Sequence, residues 1–182
     1  MERRFVRIRK IAKIMTKKVH YTDKQIDGFV MELVRQMLAD AWKPDYIVGL
    51  TRGGLVPALK ISHYLGVPME TLKVSLRDNG VAGEACESNC WMAEDAYDGK
   101  HILIVDDIND TGATLNWIKK DWSLSAYRDD PKWDGIWNET VKFATLIDND
   151  ASPVEVNYIG ESINKAEDDV WIVFPWENWW KG

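Results

Sequence analysis

The sequence predicts an α/β fold, with a mostly parallel sheet flanked by helices. Two short apolar runs rich in β-branched residues, 46–50 and 102–105, each lead through a polar or glycine-containing turn into a helical pattern. Continuous apolar runs of this kind are typical of strands buried on both faces, as in a parallel sheet. A strand, a turn and a helix in this order begin a βαβ unit, and such sheets bind ligands beyond the carboxyl ends of their strands.

The composition is that of one globular domain. The 182 residues are 46% hydrophobic and 29% charged, which is ordinary for a soluble protein. No apolar run approaches the roughly 20 residues of a membrane-spanning helix. The start of the chain has neither the apolar core nor the cleavage site of a secretory signal. We therefore expect a cytoplasmic protein without membrane partners.

Positive charge is concentrated at the start of the chain. Residues 1–20 hold 8 of the 23 Lys and Arg residues, whereas the rest carries 15 basic against 28 acidic residues, a net charge of −13. An acidic body argues against nucleic acid as a partner. We interpret residues 1–15 as a basic N-terminal extension and residues 16–182 as the domain. A basic amphipathic helix that contacts a membrane surface or RNA is the alternative for the extension.

Helical and strand patterns alternate through the domain. Thr22-Asp-Lys-Gln25 has the form of a capping box, and the spacing behind it predicts a helix that ends near 42–44. Residues 77–98 are polar and without pattern, which predicts a long loop, and 121–140 form a tryptophan-rich insertion suited to packing or subunit contact. The remaining patterns predict helices over 55–65 and from about 112 to 120, and strands over 70–76, 141–147 and 154–159.

The most informative stretch is 101–115, a buried strand followed by Asp106-Asp107 and then by Asp110-Thr-Gly-Ala-Thr114. Small residues and hydroxyls at the start of a helix let backbone N–H groups and threonine side chains surround a phosphate. The two carboxylates repel phosphate, so a sugar diol or a magnesium ion suits them better. For a generic turn of this kind, helix capping by the aspartates is the structural alternative.

This stretch resembles the phosphoribosyl-pyrophosphate motif of type I phosphoribosyltransferases. Its Asp110-Thr111-Gly112 form is similar to that of the 6-oxopurine enzymes, the xanthine-guanine and hypoxanthine-guanine phosphoribosyltransferases. The resemblance implies that Asp106 and Asp107 hold the ribose hydroxyls, with Mg²⁺ as cofactor and Asp107 as its ligand. It also implies that Asp110 faces the base and manages its proton. The implied 5′-phosphate site is Thr111, Gly112, Ala113 and Thr114.

The turn Thr51-Arg-Gly-Gly54 is the second chemical element. Two glycines permit close approach of the backbone to an anion, and Arg52 can bind phosphate through two donors. Gly-Gly turns alone are more often structural. The run 48–57, however, resembles the pyrophosphate loop of the xanthine-guanine enzymes. That resemblance implies a non-proline cis peptide between Thr51 and Arg52, and a pyrophosphate site formed by Thr51, Arg52, Gly53 and Gly54.

The segment 169–177 resembles the base-binding segment of the same enzymes. There, Trp171 would stack on the purine and the backbone of Ile172 would contact its edge; a core position for Trp171 is the alternative. These enzymes usually place a lysine just past the strand predicted over 141–147. The aligned residue is Asn149, with no lysine near it in the sequence. We expect the Asn149 amide to contact the base instead, and guanine or hypoxanthine to be accepted before xanthine.

The resemblance covers about residues 20–178, although 77–98 and 121–140 are essentially unmatched, and it implies a flexible hood loop within 77–98. It implies transfer of phosphoribosyl from phosphoribosyl pyrophosphate to a free purine base, giving a nucleoside monophosphate and pyrophosphate, in a homo-oligomer (dimer or tetramer). A fold does not determine an activity. The alternatives are a non-catalytic regulator or nucleotide-binding module on the same fold, and a phosphoribosyltransferase for another base.

Overall fold

The computed structural model describes residues 17–74 and 89–181, and its core is a five-stranded sheet in the order β3-β2-β4-β5-β6. All neighbouring strands of this sheet are parallel, which confirms the predicted fold class. The described strands are β1 Lys17–His20, β2 Tyr46–Thr51, β3 Met69–Lys73, β4 Ile102–Asn109, β5 Val141–Asn149, β6 Tyr158–Ile163 and β7 Val170–Val173. The described α-helices are α1 Asp23–Ala39, α2 Leu55–Leu65, α3 Cys90–Tyr97, α4 Ala113–Ser125 and α5 Lys132–Ile136.

Helices cover both faces of the sheet. Alternate residues of a strand point to opposite faces, and β4 illustrates this: Ile104 packs in one apolar cluster and Leu103 in the other. Helices α1 and α2 contribute to the Leu103 side, whereas α3, α4 and α5 contribute to the Ile104 side. Burial on both faces explains why the strands read as continuous apolar runs. None of the helices in the described residues combines the length and the apolar character needed to cross a bilayer.

Helix α1 begins where the capping box predicts. The backbone N–H of Gln25 donates to Thr22 Oγ1 at 3.3 Å, and the N–H of Thr22 donates to Gln25 Oε1 at 3.0 Å. These two bonds satisfy donors that a helix start otherwise leaves unpaired.

Two predicted elements are wrong in their position. Strand β6 begins at Tyr158, four residues after the predicted start at 154, because Val154 is buried against the turn after β4 instead of lying in the sheet. Helix α3 lies within the predicted loop 77–98, where its apolar residues Met92, Ala93 and Ala96 are buried. The rest of that loop, including the implied hood, falls largely on residues 75–88, outside the described residues.

The tryptophan-rich insertion serves packing. Trp122 and Trp133 are buried, and the ring of Trp137 stacks between those of Trp133 and Phe143 at centroid distances of 5.8 and 6.0 Å. Aromatic rings at such distances add to the stabilisation from burial alone. The insertion therefore extends the apolar layer that covers one face of the sheet.

A second, two-stranded sheet joins the start and the end of the described chain. Strands β1 and β7 are parallel, with Lys18 opposite Trp171 and Val19 opposite Ile172. Tyr21, just after β1, attaches this small sheet to the main body, since its hydroxyl donates to Glu161 of β6 at 2.6 Å. The segment that contains Trp171 is thus held in place by the first residues of the domain.

Candidate active site

Two adjacent carboxylates lie at the carboxyl end of β4. Asp106 and Asp107 are half-buried and line a cleft of about 230 Å³ together with the turn that follows. Burial, together with the charge of Asp107, raises the pKa of Asp106 well above its ordinary value. Burial also raises the pKa of Asp107 to about 6, and the negative charge of Glu177 adds to the effect. Two carboxylates held in this way attract a cation or hydroxyl donors.

The glycine turn after β2 lies directly against this acidic pair. A Cβ atom at Gly53 would lie 2.0 Å from Asp107 Oδ2, and one at Gly54 would lie 2.1 Å from the carbonyl oxygen of Val105. Real Cβ atoms do not approach other atoms so closely, so these positions accept only glycine without movement of the neighbours. The structure thus brings the two predicted motifs, 51–54 and 106–114, into contact at Gly53 and Asp107.

The turn between β4 and α4 has the form of an anion site. Gly112, at φ +74°, ends the turn, and α4 begins at the next residue. The first N–H groups of a helix have no intrahelical acceptors and carry the positive end of the helix dipole. Thr111, Ala113 and Thr114 line the same cleft, and all three are at least partly exposed. This arrangement can hold a phosphate.

The turn between β4 and α4 is held in place by the buried side chain of Asn109. Asn109 is 2% exposed, and its amide donates to Asp148 Oδ1 at 2.8 Å and to the carbonyl oxygen of Val154 at 2.9 Å. Val154 in turn packs under Gly112, where an added Cβ would lie 2.5 Å from its methyl group. Sequence reasoning assigned no function to Asn109, which holds two loops together beneath the predicted phosphate site.

The peptide bond between Thr51 and Arg52 is cis, as the resemblance implies. The Arg52 side chain is exposed, and no hydrogen bond or ion pair joins its guanidinium to any of the described residues. A guanidinium on the turn that contacts Asp107, with none of its donors used by the described residues, is suited to a phosphorylated ligand.

Asp110 is held in an ion pair with a lysine that the sequence analysis did not predict. Lys165 Nζ lies 2.8 Å from Asp110 Oδ2. Asn149 ties the two segments together: its amide nitrogen donates to the carbonyl oxygen of Asp110 at 2.8 Å, and its Oδ1 accepts from the backbone N–H of Lys165 at 3.0 Å. Further bonds at 3.4 and 3.3 Å involve Asp110 Oδ1 and the N–H of Ala151.

These bonds give Asn149 a different role from the expected one. The residue is 6% exposed, and both amide hydrogens and both oxygen lone pairs are directed at protein groups. The side chain therefore has no free donor or acceptor for a base. The expectation that Asn149 contacts the base conflicts with this geometry, because the amide already joins the turn after β4 to the connection after β6.

Trp171 and Ile172 occupy contrasting positions on β7. Trp171 is 58% exposed, whereas Ile172 is 7% exposed and belongs to the apolar core. Strand β1 is the only partner of β7 among the described residues, so one edge of β7 keeps backbone groups free of sheet bonds. An exposed ring beside free backbone groups is compatible with the predicted stacking platform. No aromatic contact places Trp171 against another ring of the described chain.

The turns 51–54 and 106–114 both lie within the part of the chain that matches a known protein family. The model of the phosphoribosyl transferase domain matches residues 20–178. The chain belongs to the phosphoribosyltransferase family. The resemblance that motifs 48–57, 101–115 and 169–177 indicate is thereby confirmed.

This phosphoribosyltransferase is similar in sequence or structure to the following three proteins. It is 30% identical over 138 residues to xanthine-guanine phosphoribosyltransferase of Cereibacter sphaeroides, covering 75% of this chain and 70% of the relative. Xanthine phosphoribosyltransferase 1 of Saccharomyces cerevisiae is 24% identical over 172 residues, with 80% and 82% of the two chains covered. The crystal structure of a purine phosphoribosyltransferase from Pyrococcus horikoshii has a TM-score of 0.63 and 28% identity, covering 87% of this chain and 93% of that chain.

The carboxylates of this phosphoribosyltransferase suit magnesium only together with a substrate. No three His, Cys, Asp or Glu side chains gather as a metal site in the described part of the chain. Asp106 and Asp107 offer carboxylate oxygens at the cleft. Magnesium in phosphate-processing enzymes is commonly bound by one or two carboxylates, with substrate oxygens and waters completing its shell. The residues present therefore fit an ion that arrives with a phosphorylated substrate.

Lys165 was missed because β6 was predicted too early. Parallel strands end at the same edge of a sheet, and Asn149 at the end of β5 lies opposite Ile163 at the end of β6. Residues that follow β6 therefore reach the same edge as Asp110. With β6 predicted over 154–159, the residues at that edge would have been 160 and 161. A prediction with the correct bounds of β6 would have placed Lys165 near Asp110.

Proposed function

We propose that this phosphoribosyltransferase transfers the phosphoribosyl group of phosphoribosyl pyrophosphate to N9 of a 6-oxopurine, releasing pyrophosphate. The observation that carries the proposal is the contact between Gly53 and the Asp107 carboxylate. It joins the pyrophosphate loop to the turn suited to a 5′-phosphate, so one cleft can hold both ends of the substrate. The names of the relatives, which act on xanthine, guanine or purines, support a purine acceptor.

Each part of the cleft would have one task in the reaction. Residues 111–114 would hold the 5′-phosphate, and Arg52 with the backbone of 51–54 would hold the pyrophosphate. Asp106 and Asp107 would accept hydrogen bonds from the ribose hydroxyls, with Asp107 as the protein ligand of Mg²⁺. The bound Mg²⁺ would supply positive charge against the leaving pyrophosphate. Holding two reactants in line at fixed distance contributes much of the rate in a displacement of this kind.

Asp110 would deal with the proton of the base. A purine whose N9 lone pair is free to attack carries its ring proton on N7, and that proton becomes acidic as the N9–C1′ bond forms. A carboxylate within hydrogen-bonding distance can accept it. The Asp110 side chain is 43% exposed at the rim of the cleft, and Trp171 would stack on the face of the same base.

Cytoplasmic location and homo-oligomeric assembly stay predictions from the sequence.

The test is release of pyrophosphate, measured with phosphoribosyl pyrophosphate, Mg²⁺ and each of guanine, hypoxanthine, xanthine, adenine, uracil and orotate. We expect turnover with 6-oxopurines and at least about tenfold lower kcat/KM for adenine, the cost of one mismatched hydrogen bond. Reaction only with a pyrimidine would contradict the assignment of the base. Tight binding of phosphoribosyl pyrophosphate without turnover of any base would favour the non-catalytic regulator instead.

A pair of truncations tests the domain boundary at residues 15 and 16. Strand β1 begins at Lys17, so removing 1–15 keeps its pairing with β7, and turnover should stay within about twofold. Removing 1–21 takes away β1 and Tyr21, so β7 loses its partner strand. The KM for the base should then rise at least about tenfold, because the platform is no longer held in position. Steady-state kinetics measure the turnover and the KM of both truncated proteins. Loss of activity on removal of 1–15 would contradict the boundary.

A further inference from the structure

Lys165 has a partly buried side chain, and its ammonium group uses only part of its hydrogen-bonding capacity within the described residues. Its side chain is 18% exposed. An ammonium carries three N–H donors, and Asp110 is the one hydrogen-bond partner of Lys165 Nζ among residues 17–74 and 89–181. Buried polar groups are nearly always paired, since an unpaired donor away from water costs free energy. The two remaining donors have no acceptor among the described residues, so they are available to a ligand.

The position of Lys165 is fixed by its backbone. Its N–H donates to Asn149 Oδ1 at 3.0 Å, and the same Asn149 side chain donates to the main chain of Asp110 at 2.8 Å. One buried amide therefore sets the spacing between the two segments from which the lysine and the aspartate project. By contrast, Lys60 and Asp27 form an ion pair of similar length, 2.7 Å, between side chains that are 43% and 59% exposed. Exposed pairs of that kind are mobile and contribute little.

We propose that Lys165 is a specificity-determining residue, and that it donates a hydrogen bond to the six-position carbonyl oxygen of the base while Asp110 accepts from the neighbouring N7–H. This inference rests on the proposed function. It assigns the reading of the base edge to a residue from the connection between β6 and β7, and assigns Asn149, at the end of β5, to holding that residue in place.

The chemistry of the base edge explains the pairing. In a 6-oxopurine protonated on N7, a donor and an acceptor lie side by side, and an aspartate next to a lysine presents the complementary acceptor and donor. Adenine carries an amino group at the six position, so a donor would face the Lys165 ammonium. Such a site rejects adenine because a charged donor would be left unpaired.

The lysine also changes the expected order of the bases. From the sequence we expect xanthine to be accepted after guanine and hypoxanthine, since it is partly anionic at neutral pH and Asn149 offers it no positive charge. Lys165 supplies that charge, since it lies in the same cleft edge as Asp110. The reason for placing xanthine last is therefore removed, and we expect its kcat/KM to lie within about tenfold of that for hypoxanthine.

The test compares Lys165→Met with wild type for hypoxanthine and adenine. The substitution should lower kcat/KM for hypoxanthine about 10- to 100-fold, the effect of losing a charge-assisted hydrogen bond. It should leave kcat/KM for adenine unchanged or higher, and KM for phosphoribosyl pyrophosphate within about threefold. Lys165→Arg keeps the charge and the donors and should recover part of the preference. Lys60→Met, which breaks the exposed pair with Asp27, is the matched control and should change none of these values.

Two outcomes would overturn the inference. Equal losses for hypoxanthine and adenine would mean that Lys165 only positions Asp110, and unchanged kinetics would mean that it does not touch the base. A second readout does not need turnover: calorimetry should show that wild type prefers inosine monophosphate to adenosine monophosphate and that Lys165→Met loses this preference. If wild type turned over no base, the proposed function would fail, while the two nucleotide affinities would still decide the role of Lys165.

Discussion

Replacing Gly53 by alanine should lower kcat/KM at least about 100-fold while the protein still folds, because a displacement of 1 Å at a reacting centre has consequences of that size. The new Cβ would lie 2.0 Å from Asp107 Oδ2 and 2.2 Å from Cγ. The atoms in its way belong to the end of a side chain, so Asp107 can rotate aside and the backbone can stay in place. The rotation removes the carboxylate from the position in which it would meet the ribose and the metal.

Three other glycines provide the controls for this experiment. Gly54→Ala places a Cβ 2.1 Å from a backbone oxygen, so it should reduce the yield of folded protein and the melting temperature. Gly28→Ala and Gly135→Ala place a Cβ where no atom lies within 4 Å, so both should keep full activity. Gly28 lies inside α1, where alanine is favoured by about 0.5–1 kcal/mol. Full activity of Gly53→Ala would mean that this turn and Asp107 do not act together.

The double substitution Asp106→Asn with Asp107→Asn should abolish magnesium-dependent binding of phosphoribosyl pyrophosphate. Both carboxylates line the cleft, and amides neither bind Mg²⁺ strongly nor accept hydrogen bonds as well as carboxylates do. Titration calorimetry with and without Mg²⁺ measures the loss, which we expect to exceed about 100-fold. Asp27→Asn, which removes one exposed carboxylate of α1, is the control. Undiminished binding by the double variant would remove the acidic pair from the site.

The double variant with Asp106→Asn and Asp107→Asn should be more stable than wild type at neutral pH in the absence of ligands. Burial raises the pKa of Asp107 to about 6 and that of Asp106 well above its ordinary value, whereas an unfolded aspartate titrates near 3.9. The folded state therefore binds more protons between about pH 4 and pH 6. The free energy of unfolding falls as the pH rises through this window, by about 2 kcal/mol or more. Asparagine does not titrate, so the variant should melt higher than wild type at pH 7.5 but not at pH 4.

The parts of this site that were predictable from the sequence are those encoded locally. The strand, acidic pair and small-residue turn of 101–115 are continuous in the chain, and so is the turn 51–54. Their contact follows from the parallel pairing of β2 with β4, since the ends of neighbouring parallel strands meet at one edge. The capping box before α1 was predictable for the same reason, because all its hydrogen bonds lie within four residues.

The parts that were not predictable depend on pairings distant in sequence. The ion pair between Asp110 and Lys165 spans 55 positions, and its existence depends on where β6 begins. The alternation of apolar and polar residues at the start of 154–159 favours a strand locally, but Val154 is buried under Gly112. Tertiary contacts therefore overrode local propensity there. The role of Asn149 was inaccessible for a similar reason: a single residue gives no sign of which distant backbone groups its amide will bond.

The pairing of β1 with β7 gives the domain an order of completion during synthesis. Lys17 is made 153 positions before its strand partner Val170. At ribosomal rates of about 5–20 residues per second, β1 waits about 8–30 seconds for its partner. By the time β6 has emerged, both turns that we propose to bind phosphate and every strand of the main sheet are present. A nascent or truncated chain that stops there has the parts that we propose to bind phosphoribosyl pyrophosphate. It lacks the aromatic platform proposed for the acceptor, so the base half of the proposed site is the last to form.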